Sequence, residues 1–474
     1  MSTSQPAPAP ESDAAVLRGR RTVLVVAILA SFVAFLDGSI VTVALPAIAR
    51  ELGGELTLQQ WVVDAYLLTL GSLMLVAGSL SDTFGRVRVL RLGLIGFALT
   101  SVLAAIAPDP GLLIAARALQ GVAAALLVPS SLALITSTFS GPAQGKAIGS
   151  WTAWTGVAFL IGPLTGGALV DTLGWRWVFA VVVLPVLLTL VLMTRLPSDA
   201  HHGDAVGAGG EAGTARIDVV GAVLAAVGLA GPVFALIEGQ RVGFGHALVL
   251  VPLVVGVAAL VGFVSWERRA PQPMMPLGLF RVRAFTVGNL ATVGIYAALS
   301  LGSLVIPLVV QELAGLPATL AGLVTLPTTI VSLLFSTLFG TLAATHGPRL
   351  FMTVGPLITA SGFSWMLLVH DPINVWWQIV PGVVLFGFGL SVTVAPLTST
   401  VLSQVSARQS GIASAVNNAI SRVAGLVAVA FLGVIAGGAL TVDGFHRVLV
   451  VVAALLVLSA LVSFVGLRGL RRAS

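Results

Sequence analysis

Three ionisable residues stand where an apolar chain has least use for charge. Asp37 interrupts SFVAFLDGSIVTVALP, Asp64 interrupts WVVDAYLLTL, and Arg117 interrupts LLIAARALQG. A charged side chain inside hydrocarbon is costly and as a rule faces a bundle interior or a water-filled path. A carboxylate there can bind and release a proton, whereas arginine keeps its charge and can only tune or gate the acid beside it. Where a proton and a cationic substrate compete for one carboxylate, binding of either expels the other, and exchange follows. One charge moved through 100 mV is worth about 2.3 kcal/mol, roughly fiftyfold in concentration. Such exchange requires the acids to line a shared cavity that opens to alternate sides.

The elements that position these residues are predicted to be membrane-spanning helices. Of 474 residues, 57% are hydrophobic and 9% charged, with mean hydropathy +1.06; an ordinary soluble domain carries about 25% charged residues. Apolar runs of about 20 residues are long enough to cross hydrocarbon, and helices satisfy their own backbone there. The alternating decamers of a barrel are missing. The expected class is an all-α polytopic membrane protein. Approximate spans are 22–45, 59–78, 88–106, 111–133, 147–169, 175–194, 218–237, 246–266, 285–311, 318–342, 350–369, 376–400, 411–436 and 445–467. A count of twelve would require two of them, 218–237 and 246–266 being the weakest, to be something else.

Charge orients the chain. Eighteen of the 24 Lys and Arg fall in segments on the side of the termini; Arg50, Arg176, Arg241 and Arg447 fall opposite, and Arg117 and Arg422 lie within spans. That bias places both termini in the cytoplasm, and it removes the reason to read the +6 net charge as a nucleic-acid signal. Residues 1–21 are expected to be a disordered cytoplasmic start leading into an uncleaved first helix. Residues 22–194 form a first six-helix bundle, 195–217 a cytoplasmic linker, 218–266 two extra helices, 267–284 a cytoplasmic amphipathic loop, 285–467 a second bundle and 468–474 a tail. His201 and His202 lie in the Gly-rich linker and are read as solvated, so no metal is expected. With no cysteine, disulfides and thiolate chemistry are excluded. No HExxH, GxSxG or P-loop occurs, so neither an enzyme nor a nucleotide motor is indicated, and no cofactor is implied.

Residues 78–90, GSLSDTFGRVRVL, and 340–352, GTLAATHGPRLFM, share Gly, Leu and a later Gly at equal offsets: Gly78, Leu80, Gly85 against Gly340, Leu342, Gly347. Both follow a span at the same face. Turns favour glycine anyway, but two copies in comparable order point to an internal repeat, as in duplicated transporter bundles.

At this point the chain resembles the major facilitator superfamily, and more closely its fourteen-span drug:proton antiporter branch. Residues 78–90 resemble the superfamily's signature loop, with Gly78, Leu80, Asp82, Gly85, Arg86 and Arg88 in place. LDGSIVTVALP (36–46) resembles the first-helix motif, RALQG (117–121) the proton-coupling segment, GPLTGG (162–167) with Gly156 the antiporter motif, and WRWVF (175–179) the start of the sixth span. The resemblance implies two six-helix bundles plus two helices, in a bacterial inner membrane. It implies a loop around Asp82 and Arg86, with Gly347 and Arg349 in the second copy, that locks the cytoplasmic sides together. Ala344 replaces the acid in that copy. It also implies a bend at Gly156, Gly162, Pro163, Gly166 and Gly167 that shapes outer closure. The partners implied are protons and small amphipathic, chiefly cationic molecules. One chain already holds both repeats and can be the working unit.

At 1.5 Å per residue, Asp37 lies roughly 12 Å, Arg117 roughly 9 Å and Asp64 roughly 7 to 8 Å from the outer ends of their spans, which puts them in one polar layer. Plainer readings stand beside this: Asp37 as a helix–helix hydrogen-bond partner, Asp64 as an interfacial cap, Arg117 snorkelling outward. Trp151 and Trp154 either stack an aromatic substrate or pack into lipid. Asn289, Asn417, Asn418 and Arg422 are the polar candidates of the second half, and Arg422 suits a carboxylate to neutralise, a substrate anion or a backbone carbonyl. Glu238 and Glu312 read as surface acids at helix ends. The rival functions are a transporter of a dedicated metabolite, sugar or lipid, and a scaffold or sensor without transport.

Overall fold

The computed structural model describes residues 13–196, 218–271, 273–402, 405 and 409–468. The first twelve residues, most of the 195–217 linker, the tail beyond 468 and the side chain of Asp82 lie outside the described set. No strand occurs among the described residues.

Long apolar runs form helices because lipid offers the backbone no other partner. The first crossing is α1 (Asp13–Ile40), continued through a 3-10 turn by the short α2 (Leu45–Leu52). Then come α3 (Glu55–Phe84), α4 (Arg86–Ala105), α5 (Pro110–Thr138), α6 (Gly141–Thr172) and α7 (Arg176–Met193). The extra pair is α8 (Val219–Val242) and α9 (Ala247–Glu267). The second half holds α10 (Arg283–Leu308), α11 (Ala318–His346), α12 (Pro348–Trp365), α13 (Val380–Leu402), α14 (Ser410–Ala436) and α15 (Val442–Gly466). Leaving out α2, fourteen helices have 18 residues or more among those described. Thirteen are long and apolar enough to cross a membrane. The fourteenth is α3, with 30 residues.

Several helices run past the predicted spans toward the face that holds the termini: α3 reaches Phe84 rather than 78, and α11 reaches His346 rather than 342. Hydropathy marks where hydrocarbon ends, and a helix needs no hydrocarbon to continue for another turn or two. Residues 78–84 are therefore helix, and the predicted hinge shrinks to one residue. Gly85 (φ 92, ψ 127) alone separates α3 from α4, and Gly347 (φ 88, ψ 149) alone separates α11 from α12. The two halves turn the same corner with the same backbone.

Helices α1 and α3 to α7 pack as one bundle, α10 to α15 as a second. They meet along two seams, α6 against α11 and α3 against α14, and α8 packs on both members of the second seam. α8 and α9 pair closely: a Cβ on Gly256 would lie 2.6 Å from Pro232 Cδ, and one on Gly228 2.8 Å from Leu260 Cδ2. Small residues permit such approach in lipid, where packing rather than water drives association. The 267–284 connection contains a 3-10 turn, Leu277–Arg281, with Leu279 buried and Phe280 edge-on to Phe285 at 5.2 Å.

Since an L residue is strained at positive φ, Gly85→Ala and Gly347→Ala should each destabilise the fold by about 1–3 kcal/mol. Thermal denaturation in detergent should show matching falls; a fall in only one variant would break the equivalence of the corners.

Candidate functional site

α3 has two working faces. On the first, Val62 O accepts from Arg117 Nε at 3.0 Å, the Tyr66 ring lies 4.4 Å under the guanidinium, and Thr69 Oγ1 donates to Ala118 O at 2.7 Å. Arg117 Nη1 donates to Asp37 Oδ2 at 2.7 Å and to Gln120 Oε1 at 2.6 Å. Gln120 Nε2 donates to Asp37 Oδ1 at 2.9 Å and to Ser101 Oγ, also at 2.9 Å. This cluster ties α1, α3, α4 and α5 together. Asp37 is 0% and Arg117 2% exposed. A buried ion pair survives desolvation only with its remaining lone pairs and protons satisfied, and here both carboxylate oxygens have partners.

WRWVF supports the cluster from α7. Phe179 lies 5.8 Å from the Arg117 guanidinium, and Trp175 packs edge-on against Phe179 at 6.1 Å. Trp175 Nε1 donates to Glu51 Oε2 at 2.8 Å. Arg176 pairs with the other oxygen of Glu51 and holds that exposed carboxyl below its usual range.

The second face of α3 looks the other way. Gln60 Nε2 donates to Val429 O at 2.7 Å and Ala430 O at 3.0 Å on α14. Trp61 Nε1 donates to Glu238 Oε1 on α8 at 3.0 Å. Asp64, one turn on from both residues, shares that face. It is 0% exposed, and neither carboxyl oxygen has a hydrogen-bond partner among the described residues. Asp37 and Arg117 are joined, while Asp64 lies outside their hydrogen-bonded cluster, and its helical position turns it to the side of α3 that carries Gln60 and Trp61. Nor do Asp37 and Arg117 line the space between the bundles in this state; they are sealed inside the first one. Helical rise fixes height, but the sequence carries no signal for which neighbour each face of α3 meets.

Between the bundles, Arg422 lies with its guanidinium 5.5 Å over the Phe35 ring, which in turn packs on Phe159 at 5.7 Å. Arg422 is half-buried and makes no ion pair or hydrogen bond among the described residues. Asn289 is buried and paired with Asn417 Nδ2 at 3.0 Å, so those two join α10 to α14. Asn418 is exposed and donates to Ser414 O at 3.1 Å. Trp151 Nε1 donates to Ser31 Oγ at 3.0 Å; Trp154, one turn on, is 54% exposed. At the corners, Arg86 Nη1 donates to Ala133 O at 3.1 Å within the first bundle, and Arg349 Nε to Phe464 O at 2.9 Å within the second.

Direct hydrogen bonds join the two bundles in the half away from the termini. Asp171, ending α6, accepts from Ala318 N (3.0 Å), Thr319 N (2.8 Å) and Thr319 Oγ1 (2.6 Å) at the start of α11. Gln59 Nε2 donates to Glu312 Oε1 at 2.6 Å, and Gln311 Nε2 to Val43 O at 3.1 Å. The Gly-rich stretch of α6 permits this closure. A Cβ on Gly167 would fall 2.5 Å from Ala318 O, and one on Gly166 2.7 Å from Ile40 Cγ1. Gly162 sits against Ser39, Gly322 of α11 sits against the carbonyl of Pro163, and a Cβ on Gly156 would lie 3.2 Å from Leu333 Cδ2. Glu238, 13% exposed, is thus an inter-helix acceptor rather than a surface acid, while Glu312 is the exposed acid that was expected and also accepts across the bundle boundary. Asp171, Gln59, Gln60 and Gln311 went unmarked in the sequence; a polar residue at a helix end is commonplace, and its partner lies more than 100 positions away.

Two matched bundles closed at one face around a common space define a polytopic transporter fold. The chain belongs to the Major Facilitator Superfamily, whose family model matches residues 27–429. It is similar to the puromycin resistance protein pur8 of Streptomyces alboniger, 36% identical over 424 residues, covering 88% of this chain and 82% of that one. It is likewise similar to the multidrug efflux pump LfrA of Mycolicibacterium smegmatis, 35% identical over 402 residues, covering 84% and 77%. The tetracenomycin C resistance and export protein of Streptomyces glaucescens is 31% identical over 438 residues, covering 91% and 79%. Among solved structures, a peptide transporter POT with sulfate superposes with TM-score 0.68 at 15% identity, covering 94% of both chains. The inward-open xylose transporter XylE from E. coli gives 0.65 at 16%, covering 94% and 96%; both likenesses speak for the fold alone.

Asp171→Ala removes a charged cap from α11, worth about 1–2 kcal/mol, and so should shift the closed-to-open ratio of this face roughly 5- to 30-fold. The chain has no native cysteine, so spin labels attached after Leu173→Cys and Trp376→Cys report one distance alone. Both positions are exposed near this face, one in each bundle. The long-distance population should grow; an unchanged distribution would show that Asp171 does not hold the face shut.

Proposed function

We propose that this protein is a proton-coupled antiporter that exports small amphipathic compounds by alternating access, and that Asp64 carries the proton. The position of Asp64 supports this reading most directly. A buried carboxyl without a partner is accommodated cheaply only while it holds its proton. Loss of that proton is thereby tied to parting of the α3–α14 seam, the movement that alternating access needs. The cluster of Asp37, Arg117 and Gln120 acts as the rigid joint that makes α1, α4 and α5 move with α3. The excess of Lys and Arg at the face of the termini orients that face to the cytoplasm of a bacterial inner membrane. On that orientation the hydrogen-bonded face is the outer one, and Gly85 and Gly347 sit at the cytoplasmic corners of the two halves.

The relatives above, at 31–36% identity, are named for puromycin resistance, multidrug efflux, and tetracenomycin C resistance and export. In this chain the space between the bundles offers aromatic surface at Phe35 and Phe159 together with the guanidinium of Arg422. A flat, π-rich molecule suits these groups: a cationic one would stack on the rings, and one that carries an acceptor would also meet the guanidinium. A dedicated anionic metabolite is the second reading, and it too rests on Arg422.

Proteoliposomes carrying an imposed pH gradient test the proposal with ethidium and puromycin as probes. Asp64→Asn keeps the packing of the neutral acid and should cut gradient-driven flux at least about tenfold, the effect of about 1.4 kcal/mol on a rate. It should leave substrate-for-substrate exchange running. Asp37→Asn breaks a buried pair and should lower stability as well, by about 3–5 kcal/mol. Wild-type flux indifferent to the gradient, or coupled flux intact in Asp64→Asn, would sink the proposal.

A further inference from the structure

The extra pair is fastened to the bundles near the face away from the termini. There Glu238 of α8 accepts from Trp61 of α3, Phe234 packs on Trp61 at 5.7 Å, and the Gln240 side chain rests on Gly433 of α14. Toward the face of the termini α8 stands away from the bundles and leaves a cavity of about 730 Å³, within the range of sites for drug-sized molecules. Leu229, Phe263, Gly71, Ala297 and Val423 wall it, from α8, α9, α3, α10 and α14 in turn. Met274 and Met275, from the connection after α9, line its end.

Ser72 is the one lining residue with a polar side chain, and its hydroxyl is already committed to Leu68 O at 2.5 Å. Nothing inside can recognise a polar group, so a charged ligand must leave its charge at the rim. The rim is basic. Arg268, Arg269, Arg281 and Arg283 are all exposed along the connection that carries the two methionines. The nearby acids are turned away from the surface or to other partners: Glu267 is 3% exposed, with Oε2 accepting from Met275 N at 3.0 Å and Oε1 buried without a hydrogen bond among the described residues, while Asp218 accepts from Trp266 Nε1 at 2.8 Å. Glu267 thereby fixes the methionine pair at the end of the cavity.

We propose that this cavity is a lipid site that takes an acyl chain of an anionic phospholipid from the leaflet on the side of the termini. The phosphate lies at Arg268 and Arg269. The chain itself gains little on leaving bilayer hydrocarbon for a cavity of the same polarity, so selectivity comes from the head group at the arginines. This site is separate from the space between the bundles, with the α3–α14 seam dividing them.

Native mass spectrometry of the delipidated full chain, titrated with phosphatidylglycerol and with phosphatidylcholine of equal chain length, reads the site without any ion gradient. Wild type should retain one phosphatidylglycerol in preference to phosphatidylcholine. Arg268→Ala with Arg269→Ala should weaken that binding roughly 30-fold, the surface attraction of two arginines, and leave helicity by circular dichroism unchanged. Leu229→Trp narrows the cavity and should weaken retention of the lipid while the arginines remain. Equal retention of the two lipids by wild type would overturn the proposal. So would unchanged phosphatidylglycerol binding in the double arginine variant, or its displacement by ethidium, which would make the cavity a place for transported molecules.

Discussion

An arginine and an aspartate buried within the first bundle constrain much of what surrounds them. In a low-dielectric interior neither charge is tolerable alone, and the pair is tolerable only when every donor and acceptor around it is used. Asp37 and Arg117 come from α1 and α5; Gln120, Ser101 and the carbonyl of Val62 complete their shell from α5, α4 and α3. Tyr66 and Phe179 cover the flat faces of the guanidinium. Sliding α1 against α5 by one turn would break the pair and strand two charges. The first bundle is therefore stiff where the cluster sits, and a stiff bundle is what a rocking mechanism requires. Motion must then fall on contacts between bundles, whose polar members are the Asp171 cap and the hydrogen bonds of Gln59, Gln60 and Gln311, and these can part without stranding a charge pair.

The α6–α11 seam shows that division of labour. Asp171 caps α11 across the bundle boundary, and in the open state its carboxylate and the freed N–H groups would all meet water. Such a contact can be broken and remade at modest cost, because the N-terminal groups of a helix lie at its end, within reach of solvent. Gly167 and Gly322 let backbone meet backbone without interlocking side chains, so the seam separates without rotamer rearrangement. The closed face is held by interactions of the kind that water can replace.

The sequence made the spans, the paired corners and the buried charges legible, since hydropathy and glycine placement are local properties. It put Asp37 and Arg117 at one depth, and their contact is the simplest outcome of two opposite charges in a dry bundle. It also put Asp64 at that depth, and there depth stops being informative: it is a one-dimensional quantity, and α3 uses both of its sides. Asn289 and Asn417 show the same limit, since each reads as a polar residue facing a cavity until the partner 128 positions away is known. Glu238, taken for a surface acid, anchors α8 through Trp61. Partner choice belongs to the packing of the whole chain, which no window of about twenty residues contains.

The extra pair bears on the gating seam itself. Because α8 touches α3 and α14 at once, parting of that seam must either slide both helices along α8 or carry α8 with one bundle and free it from the other. Its polar anchor is to α3, through Glu238 and Trp61, whereas its contact with α14 is apolar packing of Val233 and Ile237 with Leu426 and Ala430, with Gln240 resting on Gly433. The unequal grip favours α8 travelling with the first bundle and sliding over the apolar face of α14, where its contacts are packing rather than a directed hydrogen bond. The width of the cavity between α8 and α14 would then change with every cycle, and whatever fills it must be as deformable as a hydrocarbon chain.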